Sequence, residues 1–518
     1  METTPDRQTA LDIYRSGTPQ VMLTRLVADL ETPVSAYLKL TGNAADSFLL
    51  ESVEGGAVRG RYTIIGCAPD LIWRCINGQA DIAESASGPP TAFQPQSDAP
   101  LDSLRAVLKR SLIDLPEDLP PMAAGLVGYM GYDMVRQMER LGPGKPAPVD
   151  APEGLFLRPT LMAIFDSVTD RISLITPVRP NPDISAEDAI ATAEARLAAA
   201  VDRLCGPVPA AFADANSRLP ATPATGAAAT EHTGQARYLR MVEQAKAHMA
   251  AGDIFQVVLA QRFSIPFSQP PLALYRALRR LNPSPFLFFL NFTDFALVGS
   301  SPEILVRLRN GQVTVRPIAG TRPRGATAEE DAAQAQSLLN DPKELAEHLM
   351  LLDLGRNDAG RVSKPGSVRV TERNIVERYS HVMHIVSNVT GDFDGARFDS
   401  IDALKATFPA GTVSGAPKVR AMEIIDELEA EGRGPYAGAV GYFAANGSMD
   451  TCIVLRTGLV KDGQLHVHAG AGLVADSVPE SEYRECVNKA RALFRAAEDA
   501  EALAAVRATQ PPGDAPAR

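Results

Sequence analysis

The sequence predicts an α+β enzyme built in two parts, on three observations. Short apolar segments bounded by turn residues fill residues 21–178 and read as strands with a few helices between them. Long helical patterns stand at 183–206, near 328–354 and near 480–505. A stretch rich in Pro, Ala and Thr, PVPAAFADANSRLPATPATGAAAT, has almost no large apolar residue and reads as a linker. The expected organisation is an N-terminal regulatory or structural domain (1–206), a linker (207–234), a catalytic domain (235–505) and a disordered tail (506–518).

In chain order, SAYLKL, SFLLESV, YTIIGC and LIWRCING are expected as strands. SAEDAIATAEARLAAAVDRLCG is expected as a helix with Asp183 or Ser185 as its cap and Gly206 at its end. After the linker come a helix ending at Gly252 and the strands VVLAQRFSI, PFLFFLNF, ALVGSSPEILVRL and QVTVRPIAG. No internal repeat recurs at a solenoid period.

At 518 residues the chain exceeds a single core, which makes two domains the prior. A net charge of -11 argues against nucleic acid or an anionic membrane as the main partner, so an anionic substrate needs a local basic site. Five scattered cysteines, Cys67, Cys75, Cys205, Cys452 and Cys486, suggest neither a disulfide framework nor a zinc site. With no apolar signal region at the start and no apolar run of about 18 residues, the expected location is cytoplasmic.

The most informative residues are two glutamate pairs, Glu344/Glu347 and Glu482/Glu485, each three apart in a helical pattern. Residues i and i+3 share a helix face, so each pair presents two carboxylates side by side, and two such helices meeting would surround Mg²⁺ with oxygen. Solvated helix acids are the commoner meaning of such spacing. Here Glu347 continues through Leu351 and Leu354, and Glu482 through Cys486 and Leu493, so both pairs run along partly apolar faces. Glu485 and Lys489 also form a candidate i,i+4 ion pair.

Other polar groups gather in the second half. FPAGTVSGAPKVRAMEIIDELE is a Gly- and hydroxyl-rich loop entering a helix, with Pro417 at a first-turn position and Lys418 adding charge for an anion. Glu303 follows a strand and a Ser-Ser-Pro turn, and His381 and His384 share one segment. Arg456 offers a bidentate clamp for a carboxylate, Tyr436 a hydroxyl, and Gly470 and Gly472 let a backbone approach a ligand closely.

PIAGTRPRG, DPKELAEHLMLLDLGRND, GTVSGAPK, GPYAGAVGY and AGAGLVADSVPESEYRECVNKA together resemble the chorismate-utilising enzymes, in particular the large component of anthranilate synthase, over residues 236–500, with a weaker likeness back to LLES at 49–52. The resemblance implies large, mostly antiparallel sheets flanked by helices. It implies Mg²⁺ held by Glu344, Glu347, Glu482 and Glu485, directly or through water, gripping the ring carboxylate of chorismate. Arg456, Tyr436, Lys418 and the backbone at Gly320, Thr321, Gly470 and Gly472 would position the substrate. Glu303 is implied as the general acid for loss of the ring hydroxyl and His384 as the base that aromatises the ring. Thr321 and Gln256 complete the implied catalytic set.

Two positions divide such relatives. Those that add water to chorismate carry a lysine where this chain has Gln256, and those that make 4-amino-4-deoxychorismate carry one where it has Ala319. Both departures favour amination to anthranilate; an aminodeoxychorismate-forming synthase and an idle tryptophan sensor are the alternatives. None of the cysteines sits in a Gly-flanked nucleophile elbow, so ammonia is expected from a separate glutamine amidotransferase subunit in a hetero-oligomer. The resemblance further implies L-tryptophan as an inhibitor, bound by Leu50, Glu51 and Ser52 from the first half and by Asn282, Pro283, Ser284, Pro285, Leu287, Phe288 and Tyr442 from the second.

Overall fold

The computed structural model describes residues 2–54, 58–85, 88–210, 212, 229–379 and 382–509. His381, residues 211 and 213–228 of the expected linker, and residues 510–518 of the expected tail lie outside them. Among the described residues, twenty-two strands join into one hydrogen-bonded network, and the pairings that build the site are all antiparallel. Helices cover its faces, as an α+β fold requires.

Two pairings carry the network across the chain's halves. Ser47–Glu54 lies against Phe286–Asn291, with Leu50 opposite Phe288 and Glu51 opposite Leu287. Gly125–Met130 lies against Ala439–Ala444, with Val127 opposite Tyr442. The sequence thus divides at 207–234 while the sheet does not. The described end of that stretch even contributes a short strand, Thr230–Glu231, paired with Phe263 and Ser264.

The centre of the second half is the strand Gln256–Pro266, buried along nearly its whole length and therefore apolar on both faces rather than alternating. It pairs with Gln464–Leu473, setting Val258 opposite Gly472 and Ala260 opposite Gly470. Two helices, Pro271–Leu281 and Pro479–Thr509, pack on each other, the second also covering Gln464–Leu473. The first buries Leu272, Leu274, Tyr275 and Leu278, each large apolar side chain stabilising the layer by about 1.5–3 kcal/mol.

The structure corrects several local expectations. SAYLKL is not a strand but part of a helix, Pro33–Thr41, because Thr32 and Ser35 form a reciprocal cap, Pro33 occupies the first turn and Gly42 ends it in the left-handed region (φ 59°). The helical pattern near 328–354 is two helices, Ala328–Leu339 and Pro342–Gly360, since the residue before a proline avoids the helical region and Asp341 (ψ 110°) caps the second instead. Pro417 precedes its helix as the capping residue rather than standing in the first turn. The last helix continues to Thr509, into the first residues expected as tail. Ser185 and Gly206 bound the Ala186–Cys205 helix as the spacing indicates. No helix among the described residues is long and apolar enough to cross a membrane.

Candidate active site

Glu303 sits where Pro302 breaks the run between the strands Ala296–Ser301 and Ile304–Arg309. The residue is 7% exposed, with the Thr412 hydroxyl 3.0 Å from both carboxyl oxygens. Burial pushes the acid up to about 8, outweighing Thr412, the Ile318 N–H and the Arg456 charge, which all favour the ionised form. At neutral pH the group holds its proton, as a general acid must.

His384 occupies the strand Val382–Asp392 opposite Thr321 of the strand Ile318–Pro323. A register shift lies between Ala319 and Thr321, and Gly320 there adopts φ 68°, which suits a residue without a Cβ. The shift turns the Gly320 carbonyl onto His384, whose Nδ1–H donates to it at 2.9 Å; Thr321 Oγ1 lies 3.1 Å from the same nitrogen. That bond fixes the proton on Nδ1 and leaves the Nε2 lone pair for a substrate. Burial drives the imidazole down to about 4, with Arg456 and Lys489 adding to the effect, so it is a neutral base at physiological pH.

Arg456 stands between these groups electrically, acting on both Glu303 and His384. Its guanidinium makes no hydrogen bond or ion pair with any described residue, and its backbone lies at φ 49°, a strained position of the sort that clusters in functional sites. An unspent, largely desolvated guanidinium is a site for a carboxylate. Tyr436 stacks on His468, ring centres 5.8 Å apart, and a Cβ added at Gly470 would meet the Tyr436 hydroxyl at 2.8 Å. A Cβ at Gly472 would meet Gln256 Nε2 at 3.1 Å. The two glycines therefore hold open the space lined by Tyr436 and Gln256.

The glutamates lie on the two helices foreseen. Gln256, 2% exposed, donates to Glu347 Oε1 at 3.1 Å and keeps its own Oε1 buried without a partner. Glu344 accepts from Arg322 at 3.1 Å, and Glu485 pairs with Lys489 at 2.6 Å, so the i,i+4 ion pair seen in the sequence is formed. Burial raises Glu347, with Glu344 and Glu485 adding to the rise; Glu482 is raised by burial and by Glu485. Charge is thus shared across the two helices. Among the described residues no three His, Cys, Asp or Glu side chains converge on one metal position. In chemistry the donors fit a hard divalent cation: all are carboxylate oxygens, two are raised by burial and by neighbouring carboxylates, and a Cβ at Gly320 would stand 3.1 Å from Glu344 Oε2.

Lys418 is elsewhere occupied. Its Nζ donates to Asp358 at 2.9 Å and to the Thr407 carbonyl at 3.2 Å, which ties the loop at 407–418 to the Pro342–Gly360 helix. The residues implied for tryptophan split between two faces of one sheet. Leu50, Phe288 and Tyr442 pack in the same apolar cluster, and Ser52 lies against Gly60, where an added Cβ would overlap its Oγ at 1.8 Å. Tyr442 accepts from Arg309 at 3.0 Å. Nearby in sequence, Ser284 Oγ is buried and unpaired, Asn282 accepts from Ser300 at 2.6 Å, and Pro283 and Pro285 are half-buried. Glu51 and Leu287 point the other way: the Glu51 carboxylate is clamped by Arg279, Nη2 at 2.8 Å, and by the Tyr275 hydroxyl, a structural ion pair.

Three participants escaped the sequence reading. Thr412 lies inside the GTVSGAPK loop, which had drawn notice for its backbone alone; its hydroxyl is what the acid meets. Tyr379 has its ring 5.5 Å from His384 and acts on Arg456. Arg322, in PIAGTRPRG, reaches Glu344 and Asp341 at the start of the Pro342–Gly360 helix. Residue type hinted at each, but no spacing rule joins them to their partners.

A family profile described as chorismate binding enzyme matches residues 68–495. The chain is 54% identical over 487 residues to the anthranilate synthase component 1 of Cereibacter sphaeroides, covering 94% of this chain and 96% of that one. It is 48% identical to that of Thermus thermophilus, covering 92% and 97%. The crystal structure of anthranilate synthase component I from Streptococcus pneumoniae TIGR4 superposes with a TM-score of 0.72 at 37% identity, over 91% of this chain and 99% of that one. The menaquinone-specific isochorismate synthase of Escherichia coli, 20% identical with a TM-score of 0.68 over 95% and 99%, shares the fold. Carrying a buried carboxyl, a neutral imidazole and an unpaired arginine in that fold, the chain belongs to the chorismate-binding enzymes, in the company of the anthranilate synthase component 1 proteins.

Proposed function

We propose that this chain converts chorismate and ammonia to anthranilate, pyruvate and water. The observation that carries the reading is a buried carboxyl raised to about 8 and a neutral imidazole lowered to about 4, both within electrostatic reach of an unpaired Arg456. Arg456 and Tyr436 hold the enolpyruvyl side of the substrate, and the backbone at Gly320, Thr321, Gly470 and Gly472 lines the ring. Glu344, Glu347, Glu482 and Glu485 would hold Mg²⁺, directly or through water, and the ion would supply positive charge for the ring carboxylate. Gln256 offers its unpaired Oε1 to an N–H of the incoming ammonia; an amide cannot deprotonate water, which ammonia, already a base, does not require.

Glu303 gives its proton to the departing ring hydroxyl as ammonia bonds to the ring carbon two atoms away, and its carboxylate then takes the surplus proton from nitrogen. His384 Nε2 removes the proton from the aminated carbon. The freed electron pair completes the aromatic ring and breaks the ring C–O bond, releasing enolpyruvate, which becomes pyruvate on protonation at carbon. Ala319 carries no nucleophile for direct amination at the hydroxyl-bearing carbon, which supports the anthranilate outcome. Ammonia comes from a glutamine amidotransferase subunit in a cytoplasmic hetero-oligomer, and tryptophan, the end product of the route this step opens, restrains it.

The order of steps is testable in His384→Ala. That variant aminates chorismate and accumulates the amino-enolpyruvyl intermediate, resolved by chromatography, without releasing pyruvate. A folded variant that leaves chorismate untouched, or that makes anthranilate at the parent's rate, contradicts the reading.

A further inference from the structure

Two of the four metal-site glutamates are already neutralised by the protein's own cations. Arg322 Nη1 lies 3.1 Å from Glu344 Oε1 while Nη2 donates to Asp341 at 2.7 Å and Nη1 also to the Thr321 carbonyl at 2.9 Å. Lys489 Nζ lies 2.6 Å from Glu485 Oε1 and donates to the Gly470 carbonyl at 2.9 Å. Each cation therefore holds one metal-site carboxylate and one or two further acceptors that belong to the helix cap or the substrate-lining strands. Losing the carboxylate leaves it anchored.

Mg²⁺ takes oxygen at roughly 2.0–2.1 Å in a near-octahedral shell, and a carboxylate whose Oε1 already meets an ammonium or guanidinium is a poorer donor to it, with only Oε2 unshared. Metal and cation repel at such a separation in a partly desolvated site. We propose that Arg322 and Lys489 are built-in counter-cations that occupy Glu344 and Glu485 until the metal arrives, then retreat to Asp341 and to the Gly470 carbonyl. This rests on the metal reading above and adds to it what sets the metal's affinity.

A charge balance gives the arrangement its use. Glu344, Glu347, Glu482 and Glu485, with Asp341 beside Arg322, stand against Arg322, Lys489, Arg456 and Lys343, the last one helical turn before Glu347. A divalent cation alone shifts that balance by two positive charges, a dicarboxylate alone by two negative ones, and both together leave it unchanged. The internal cations thus weaken binding of free metal and favour joint uptake of metal and dianionic substrate.

Mn²⁺ binding without substrate, followed by the loss of the free-ion electron paramagnetic resonance signal, tests this in the full chain. Arg322→Met and Lys489→Met, each checked for the parent's circular dichroism, are expected to bind Mn²⁺ about 5- to 50-fold more tightly, while Arg322→Lys stays near the parent. Unchanged or weaker affinity in either folded methionine variant overturns the role of that residue. Glu347→Gln separates the two levels: a parent that binds no Mn²⁺, or binds it no better than Glu347→Gln, overturns the metal reading and this inference together. A parent that binds Mn²⁺ through Glu347, with methionine variants that do not tighten, overturns the inference alone.

Discussion

Glu303 and His384 show one physical effect used in opposite senses. Burial disfavours charge in both, so the carboxyl keeps its proton and the imidazole loses its own. The sign of the pH dependence follows. Glu303 works protonated, so kcat/KM for chorismate at fixed free ammonia falls as pH rises through about 8. His384 works neutral, so the acid-side loss begins only as pH falls toward about 4. Thr412→Val removes a donor that favours the ionised acid, and the alkaline limb moves upward; Glu303→Gln loses the limb and about 10²- to 10⁴-fold in rate. A pH profile with no alkaline limb, or one that Glu303→Gln retains, contradicts the assignment. Both residues were visible by family likeness, and a protonated Glu303 is what its role as acid requires; how far burial shifts either group is not displayed by a sequence.

The elements show why some of the site was legible and some was not. Glutamates three apart on a helix face and a proline between strands are local features, and each was readable from the sequence. The Pro33–Thr41 helix was missed because an apolar run was weighed above its Thr32, Pro33 and Gly42 boundary signals. Lys418 looked like an anion ligand because its loop resembles one, while its partner Asp358 is sixty residues distant in sequence. The strand Ser47–Glu54 carries a prediction of its own. Alternation puts Leu50 and Ser52 on the face with Phe288 and Tyr442 and turns Glu51 toward Arg279, so the proposed tryptophan response is assigned to the first group. Ser52→Phe has no free volume beside Gly60 and is expected to lose tryptophan inhibition while keeping the parent's chorismate kinetics. Glu51→Gln instead loosens a buried ion pair and lowers stability by about 3–5 kcal/mol. Equal tryptophan sensitivity in Ser52→Phe and the parent places the inhibitor elsewhere.

On the scale of the molecule, the two halves are joined by main-chain hydrogen bonds as well as by side-chain packing. Leu50 pairs with Phe288 and Val127 with Tyr442, so a ligand at the Ser47–Glu54 strand perturbs strands that continue toward Glu303 and Tyr436. Coupling between sites must be reciprocal, with chorismate weakening tryptophan by the factor that tryptophan weakens chorismate. This shared sheet was not legible from the linker-like composition at 207–234, since strand partners far apart in sequence leave no local trace. The activity itself meets its most direct test in the purified chain given chorismate and Mg²⁺ with either ammonium or glutamine as nitrogen source. Product is read by anthranilate fluorescence and chromatography. Ammonium is expected to give anthranilate and pyruvate in equal amounts, increasingly so at mildly alkaline pH until Glu303 ionises, and glutamine none; isochorismate, aminodeoxychorismate or glutamine-driven anthranilate from this chain alone would contradict the account.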